Sequence, residues 1–286
     1  MALIPRPSPR IRIVELHQRP ELASATLAAF AAHPPGKHHL VGGLPHRMGL
    51  PPIPTDLTTC LGVLLSVSAT DLLGAVALVP YSDEQATLWG PAAIDGYHAP
   101  VARSLLSEAK RILAKANYTS VRALVDVRNR DLRSFLLSSG FVSWKENHLL
   151  ERSLTSQDEG ATTVDLAGEH ELSRVTSLFA LAFPEAEHQG NGYRHYVLVE
   201  DGVMLGAAAV RPGGRRSWLK LIAVDPAYRG RHLAKRLLAG VCHHERVAGA
   251  MTLALEVLAD NKPAQALYAG AGFHRTWAAV IMTAPV

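Results

Sequence analysis

Cysteine is scarce in this chain of 286 residues: Cys60 and Cys242 are the only two, and they stand far apart. That spacing supports no disulfide framework, zinc knuckle or redox pair, so both thiols are expected to act as small buried hydrophobes. Long apolar runs are missing as well, and nothing approaches the roughly 20 residues needed to cross a bilayer. The first ten residues carry Pro5, Pro7 and Pro9 where a secretory signal would have an apolar centre. A cytoplasmic protein with no membrane association is the expectation. Neither sign of charge dominates: 29 basic against 25 acidic residues give a net +4. The arginines are spread through both halves, which argues against a nucleic-acid partner. A metal is not expected either. His243-His244-Glu245 comes nearest to a ligand set, but adjacent helical histidines point in different directions, so the run reads as a polar helix face.

What is present is a repeat. Leu72-Leu-Gly-Ala-Val-Ala-Leu-Val-Pro80 resembles Met204-Leu-Gly-Ala-Ala-Ala-Val-Arg-Pro212, with Gly74 matching Gly206. Asn129 followed by Gly140-Phe141 has the spacing of Asn261 followed by Gly272-Phe273, and both matches share an offset of 132 residues. A constant offset at separated landmarks implies a duplicated unit, and the length suits two domains. The polar, acidic stretch 153–161 is read as the linker, giving domains 1–155 and 156–286. A Pro-, Gly- and His-rich stretch, 34–54, is read as a surface loop.

Periodicity and breakers give each copy the same order of elements. In the second copy, strands are expected at 162–166, 196–200, 205–210, 218–224, 251–258 and 273–282. Helices are expected at 171–183, 232–247 and 263–269. Asp201-Gly202 marks a hairpin turn. In the first copy, strands are expected at 86–93, 120–127 and 141–150, with helices at 101–116 and 131–138.

The chemistry concentrates in Leu221-Ile-Ala-Val-Asp-Pro-Ala-Tyr-Arg-Gly-Arg-His-Leu-Ala-Lys-Arg-Leu-Leu238. A strand ends at Ile222-Ala223-Val224, a turn follows, and a helix begins with unpaired amide donors suited to a diphosphate. Gly230 lets that anion approach the backbone, while Arg229 and Arg231 add positive charge. This run resembles motif A of the GNAT acetyltransferase superfamily, Gln/Arg-x-x-Gly-x-Gly/Ala, matched at Arg229 and Ala234. His232 replaces the central glycine. A second block resembles the superfamily's Asn-x-x-Ala-x-x-Leu-Tyr-x-x-x-Gly-Phe, matched at Asn261, Ala264, Leu267, Tyr268, Gly272 and Phe273.

The resemblance implies an α/β (α+β) fold of tandem GNAT-like domains, each a mixed, mostly antiparallel sheet flanked by helices, similar in architecture to mycothiol synthase. It implies acetyl-CoA as co-substrate, held by Ile222, Ala223, Val224, Arg229, Gly230, Arg231, His232, Leu233 and Ala234. The backbone amide near Val224 is the expected oxyanion donor. Asn261 is assigned either to the pantetheine arm or to capping the next helix.

Glu256 is the only acid in the apolar strand 251–258, which makes it the candidate base. A solvent-facing carboxylate is the alternative. The Glu-Val and later Asn spacing is similar to the ribosomal-protein alanine N-acetyltransferases, and the likeness implies the same role. Tyr268 is the candidate acid, its phenol suited to protonate a departing thiolate, with simple helix packing as the alternative.

The first copy lacks these groups. The offset sets Tyr97 opposite Arg229, His98 opposite Gly230 and Pro100 opposite His232, and proline has no amide hydrogen. Leu124 stands opposite Glu256 and Leu136 opposite Tyr268, so this copy is expected to be inactive. The expected activity is acetyl transfer to a primary amine, on a small molecule or a peptide N-terminus. A CoA-binding sensor without turnover is the alternative, motivated by His232. The loop 184–195, with Glu185, Glu187, His188 and Asn191, is expected to select the acceptor.

Overall fold

The computed structural model describes residues 12–31, 57, 60–68, 71–93, 98–158, 163–184 and 192–286. The expected surface loop 34–54 and the four acceptor-loop residues named above lie outside these, as does Tyr97. The described chain forms strands β1 (Arg12–Glu15), β2 (Gly62–Ser68), β3 (Asp71–Pro80), β4 (Gln85–Ala93), β5 (Ser120–Asp126) and β6 (Val142–Ser153). Helices α1 (Ala23–Ala31), α2 (His98–Lys115) and α3 (Arg130–Ser138) lie among them in sequence. Strands β7 (Val164–Leu166), β8 (Arg194–Glu200), β9 (Val203–Arg211), β10 (Arg216–Val224), β11 (Thr252–Leu258) and β12 (His274–Pro285) follow. With them come helices α4 (Glu169–Ala182), α5 (Leu233–Val247) and α6 (Lys262–Gly270).

Two compact units result, one comprising the chain up to Asn147 with Ala278–Val286, the other His148–Trp277. In the first, the order is β1-β2-β3-β4-β5-β12, with β4–β5 parallel and β12 antiparallel to β5 from Ala279↔Asp126 to Pro285↔Ser120. In the second, the order is β6-β11-β10-β9-β8-β7, with β10–β11 parallel and β7, β8, β9 and β10 antiparallel in turn. The sequence reading counts each closing strand with the copy that encodes it. In the structure, Ala278–Val286 belongs to the first unit and residues 148–153 to the second. Both closing strands also run three residues past their expected ends at 150 and 282.

The repeat is visible at atomic detail. Strands β2 and β8, β5 and β11, and β6 and β12 keep the offset of 132 at both ends, as do α3 and α6. Asn129 Oδ1 accepts from the Leu132 amide at 3.0 Å, and Asn261 Oδ1 accepts from the Ala264 amide at 3.2 Å. The Phe141 amide donates to the Leu136 carbonyl, and the Phe273 amide to the Tyr268 carbonyl, each at 3.0 Å. At the Asp201-Gly202 turn both residues have positive φ, 50° and 76°, the twist that a two-residue hairpin between β8 and β9 requires.

In each unit the strands are packed on both faces. In the first unit, Leu105, Leu113, Val121, Val125, Leu136 and Met282 form a fully buried core. In the second, α5 buries Leu233, Leu237, Leu238, Val241 and Cys242, a stripe at helical spacing, against Leu198, Val210, Leu253 and Leu255. Helix α4 covers the opposite face with Val175 and Phe179 against Val197, Ala207, Leu221 and Ala223. Of the two thiols, Cys242 is fully buried and Cys60 only half-buried. One core position is poorly matched: the Ser66 hydroxyl on β2 is buried without a hydrogen-bond partner among the described residues. Ser66→Ala should therefore raise unfolding free energy by about 1 kcal/mol, because an unsatisfied buried hydroxyl costs more than it returns. Denaturant titration of the two proteins measures this.

Candidate functional site

The site begins where two parallel strands part. β10 and β11 pair only from Arg216↔Thr252 to Leu219↔Leu255, although β10 continues to Val224 and β11 to Leu258. On its other edge β10 stays paired with β9 up to Val224↔Gly206, with a register shift that makes Lys220 a bulge. The extra residue bends the bulged strand at the level where its other neighbour is lost. Backbone direction along β10 then follows from alternation. The Asp225 amide donates to the Leu205 carbonyl at 2.9 Å, so Asp225 and Ala223 face β9. Ile222 and Val224 therefore present their amides on the edge that β11 has left.

The same alternation sorts the side chains. Ile222 and Val224 pack in the core under α5, while Leu221 and Ala223 pack in the core under α4. On β11, Leu253, Leu255 and Val257 belong to the α5 side. Glu256, the first residue beyond the ladder, thus projects to the α4 side. It is half-buried and engages at least one other group of the protein. Tyr268 lies on the α5 side, in the same core as Ile222, Val224 and Val257, with its ring 5.8 Å from that of Phe273. Burial pushes its phenol up to about 12. The two candidate proton-transfer residues thus stand on opposite faces of the opened sheet.

Past Val224, Asp225 accepts from the Ala227 amide at 2.8 Å and starts a single 3-10 turn, Pro226–Tyr228. Gly230 has φ +83°, and a Cβ there would meet no atom within 4 Å. His232 is the N-cap of α5 and is left-handed, φ 57° and ψ 17°. Among the described residues the amides of Gly230, Arg231, His232, Leu233 and Ala234 have no acceptor, whereas the Lys235 and Arg236 amides close onto the His232 carbonyl. Successive free amides in a turn with left-handed residues, at the positive end of a helix dipole, form a concave anion site. Such a cradle fits a diphosphate. His232 occupies a conformation that favours glycine, so His232→Gly should add about 1 kcal/mol of stability without weakening anion binding. Chemical denaturation and calorimetric titration of both proteins check the two halves of that statement.

The remaining sequence candidates fall as follows. Arg229 makes no ion pair among the described residues, but Arg231 is turned to Glu200 at 3.2 Å. Glu200 also receives Arg236 at 2.5 Å, and the Arg236 guanidinium holds the carboxyl below the usual range. Sequence reasoning missed Glu200, because no local pattern links the end of β8 to the start of α5. Asn261 caps α6 through its side chain. The expected polar helix face at His243-His244-Glu245 is corrected: Glu245 is fully buried, accepting from Tyr196 Oη at 2.7 Å and from the Ser217 hydroxyl, with Arg194 at 3.3 Å. Burial and the Glu245 carboxylate drive the Tyr196 phenol pKa upward. His244 stacks on Tyr196 and bonds the Val164 carbonyl at 2.6 Å.

In the first unit the counterpart is stripped. Leu136 is buried in the core where the second copy has Tyr268, Leu124 stands where it has Glu256, and α2 carries Pro100 in its first turn.

Comparison with known proteins follows this geometry. The model of the Acetyltransferase (GNAT) family matches residues 163–273. The [ribosomal protein bS18]-alanine N-acetyltransferase of Escherichia coli (strain K12) is 36% identical over 100 residues, 33% of this chain and 68% of that protein. The mycothiol acetyltransferase of a Nocardioides species is 37% identical over 79 residues, 28% of this chain and 26% of that protein. Among solved structures, a tandem GNAT protein from the clavulanic acid biosynthesis pathway aligns with a TM-score of 0.63 at 16% identity, covering 96% of this chain and 98% of that one.

Proposed function

The chain belongs to the acetyltransferase (GNAT) family, a tandem member and an acyltransferase, and from this we propose that its second unit moves an acetyl group from acetyl-CoA to a primary amine. The observation that carries the reading is the run of amides from Gly230 to Ala234 that meet no acceptor among the described residues, set at the end of a strand that has lost its neighbour. Those amides would hold the diphosphate, with Arg229 adding charge. Bound acetyl-CoA supplies an activated thioester. The Val224 amide, directed into the parted strands, would donate to the carbonyl oxygen as negative charge grows there.

Glu256 would then take the proton lost by the acceptor nitrogen, directly or through a water, as the new C–N bond forms. Tyr268 would give its proton to the departing sulfur as the C–S bond breaks. An alkyl amine is only about one part in a thousand unprotonated at neutral pH, which is why a base is needed. The amine acceptor is a small molecule or a peptide N-terminus; relatives named for a ribosomal protein and for mycothiol support both classes.

Thiol release from acetyl-CoA, followed over a panel of small amines and peptide N-termini, tests the proposal. Amine-dependent release supports transfer. Saturable acetyl-CoA binding with no release from any amine would instead favour the sensor, which the left-handed His232 in place of glycine motivates. No binding at all would remove both readings.

The phenol of Tyr268 sets a further expectation. With its pKa raised to about 12, it stays protonated across the working range, so it should impose no alkaline fall in rate below that value. Tyr268→Phe should lower kcat by roughly 10²-fold or more, with little change in acetyl-CoA affinity. Full pH–rate profiles for both proteins measure this.

A further inference from the structure

A hollow in the first unit lies on the sheet where β4, β5 and β12 run side by side. It holds about 410 Å³ and is lined by Gln85, Thr119, Ser120, Trp144 and Thr283, with Val142 and the 284–285 segment completing it. That volume falls within the ~300–1,000 Å³ of small-ligand pockets. Its chemistry is uniform in one respect, because no lining side chain is charged. Gln85 pairs with Ser120 across the ladder, and its Nε2 donates to Ser120 Oγ at 3.0 Å, which fixes both. Gln85 Oε1, Thr283 Oγ1 and the Ser120 hydroxyl hydrogen have no partner among the described residues. Beside them Trp144 is 52% exposed, and the Lys145 ammonium stands over its ring at 4.7 Å. That cation takes one indole face, and the same side chain lines the hollow.

The fold does not demand this arrangement, because the second copy builds the same rung differently. There Arg216 pairs with Thr252 in the ladder, and Arg216 is bound at 2.6 Å by Glu151, the residue that stands 132 positions before Thr283. An ion pair fills the place that neutral groups leave open in the first unit.

We infer that this hollow is a binding site for a neutral saccharide, one sugar ring stacked on Trp144 and its hydroxyls bonded by Gln85, Ser120 and Thr283. A sugar offers an apolar C–H face to the indole and a rim of donors and acceptors to the amide and hydroxyls. The cations nearest the hollow are already engaged, Lys145 with the Trp144 ring and Lys110 with the Pro285 carbonyl at 2.7 Å, and no lining side chain itself carries a charge to meet an anion. This site is independent of acetyl transfer in the second unit.

Calorimetric titration of the full chain with maltose, N,N′-diacetylchitobiose and glucose 6-phosphate tests the inference. At least one neutral disaccharide should bind saturably, and Trp144→Ala and Gln85→Ala should each weaken it roughly tenfold or more. Both side chains are partly exposed, so melting temperature should stay unchanged and report that folding is intact. Absence of saturable binding by either disaccharide overturns the site, as does binding that survives both substitutions. Preference for the phosphorylated sugar overturns its neutral character.

Discussion

Glu256→Gln is expected to cut turnover of an amine acceptor by roughly 10²- to 10⁴-fold while leaving the dissociation constant of acetyl-CoA almost unchanged. Geometry is what separates the two quantities. Glu256 projects to the α4 side of the parted strands, whereas the amides of Gly230 to Ala234 begin α5 on the other side. Glutamine keeps the size of the side chain and loses only its capacity to take a proton. The pH profile distinguishes a lost base from a disturbed fold. In the variant, rate should climb about tenfold per pH unit until the acceptor's own pKa, because the amine must arrive unprotonated. Wild type should reach its plateau earlier. Equal kcat in the two proteins, measured by thiol release under saturating acetyl-CoA, would remove Glu256 from the proton path.

Much of this arrangement was legible in the order of residues. The landmarks Gly74/Gly206 and Asn129/Asn261 revealed the duplication, and the structure extends the same offset to β2/β8 and β6/β12. The strand–turn–helix from Leu221 onward was readable because its signals are local: a run of apolar residues, Pro226, Gly230, then Leu233, Leu237 and Leu238 at helical spacing. Less accessible were features made by distant partners. Glu245 looked like a surface residue beside two histidines, and only Tyr196 and Ser217, brought from other strands, explain its burial. The pairing of Arg231 with Glu200 was hidden for the same reason. Alternation along β11 did place Glu256 among apolar neighbours, but the loss of pairing after Leu255 depends on where β10 goes, which no local pattern records.

The destination of the closing strands was equally hidden, and it leads to the second large effect. A chain ending at Trp277 should lose the folded first unit, although the deleted residues belong in sequence to the second copy. Residues 279–285 form the antiparallel partner of the whole of β5, and Val280, Met282 and Ala284 are buried in the first unit's core. Burial of large apolar side chains is worth about 1.5–3 kcal/mol each, and Met282→Ala alone should cost about 2–5 kcal/mol. Removing Val280, Ile281 and Met282 together therefore takes away about 5–9 kcal/mol, against a typical domain stability of 5–15 kcal/mol. The exposed ladder edge of β5 adds to the loss. Residue-resolved hydrogen exchange reads the outcome: amides of β4 and β5 should lose protection in the truncated chain, while those of β9 and β10, whose unit ends at Trp277, should keep theirs. Retained protection in β5 would mean that β12 merely covers an edge. By the same reasoning, a fragment beginning at residue 156 lacks residues 148–153 and with them Leu150, which packs against the β11 core. That fragment should be markedly less stable than one beginning at His148, and the pair of fragments separates a missing strand from a missing domain.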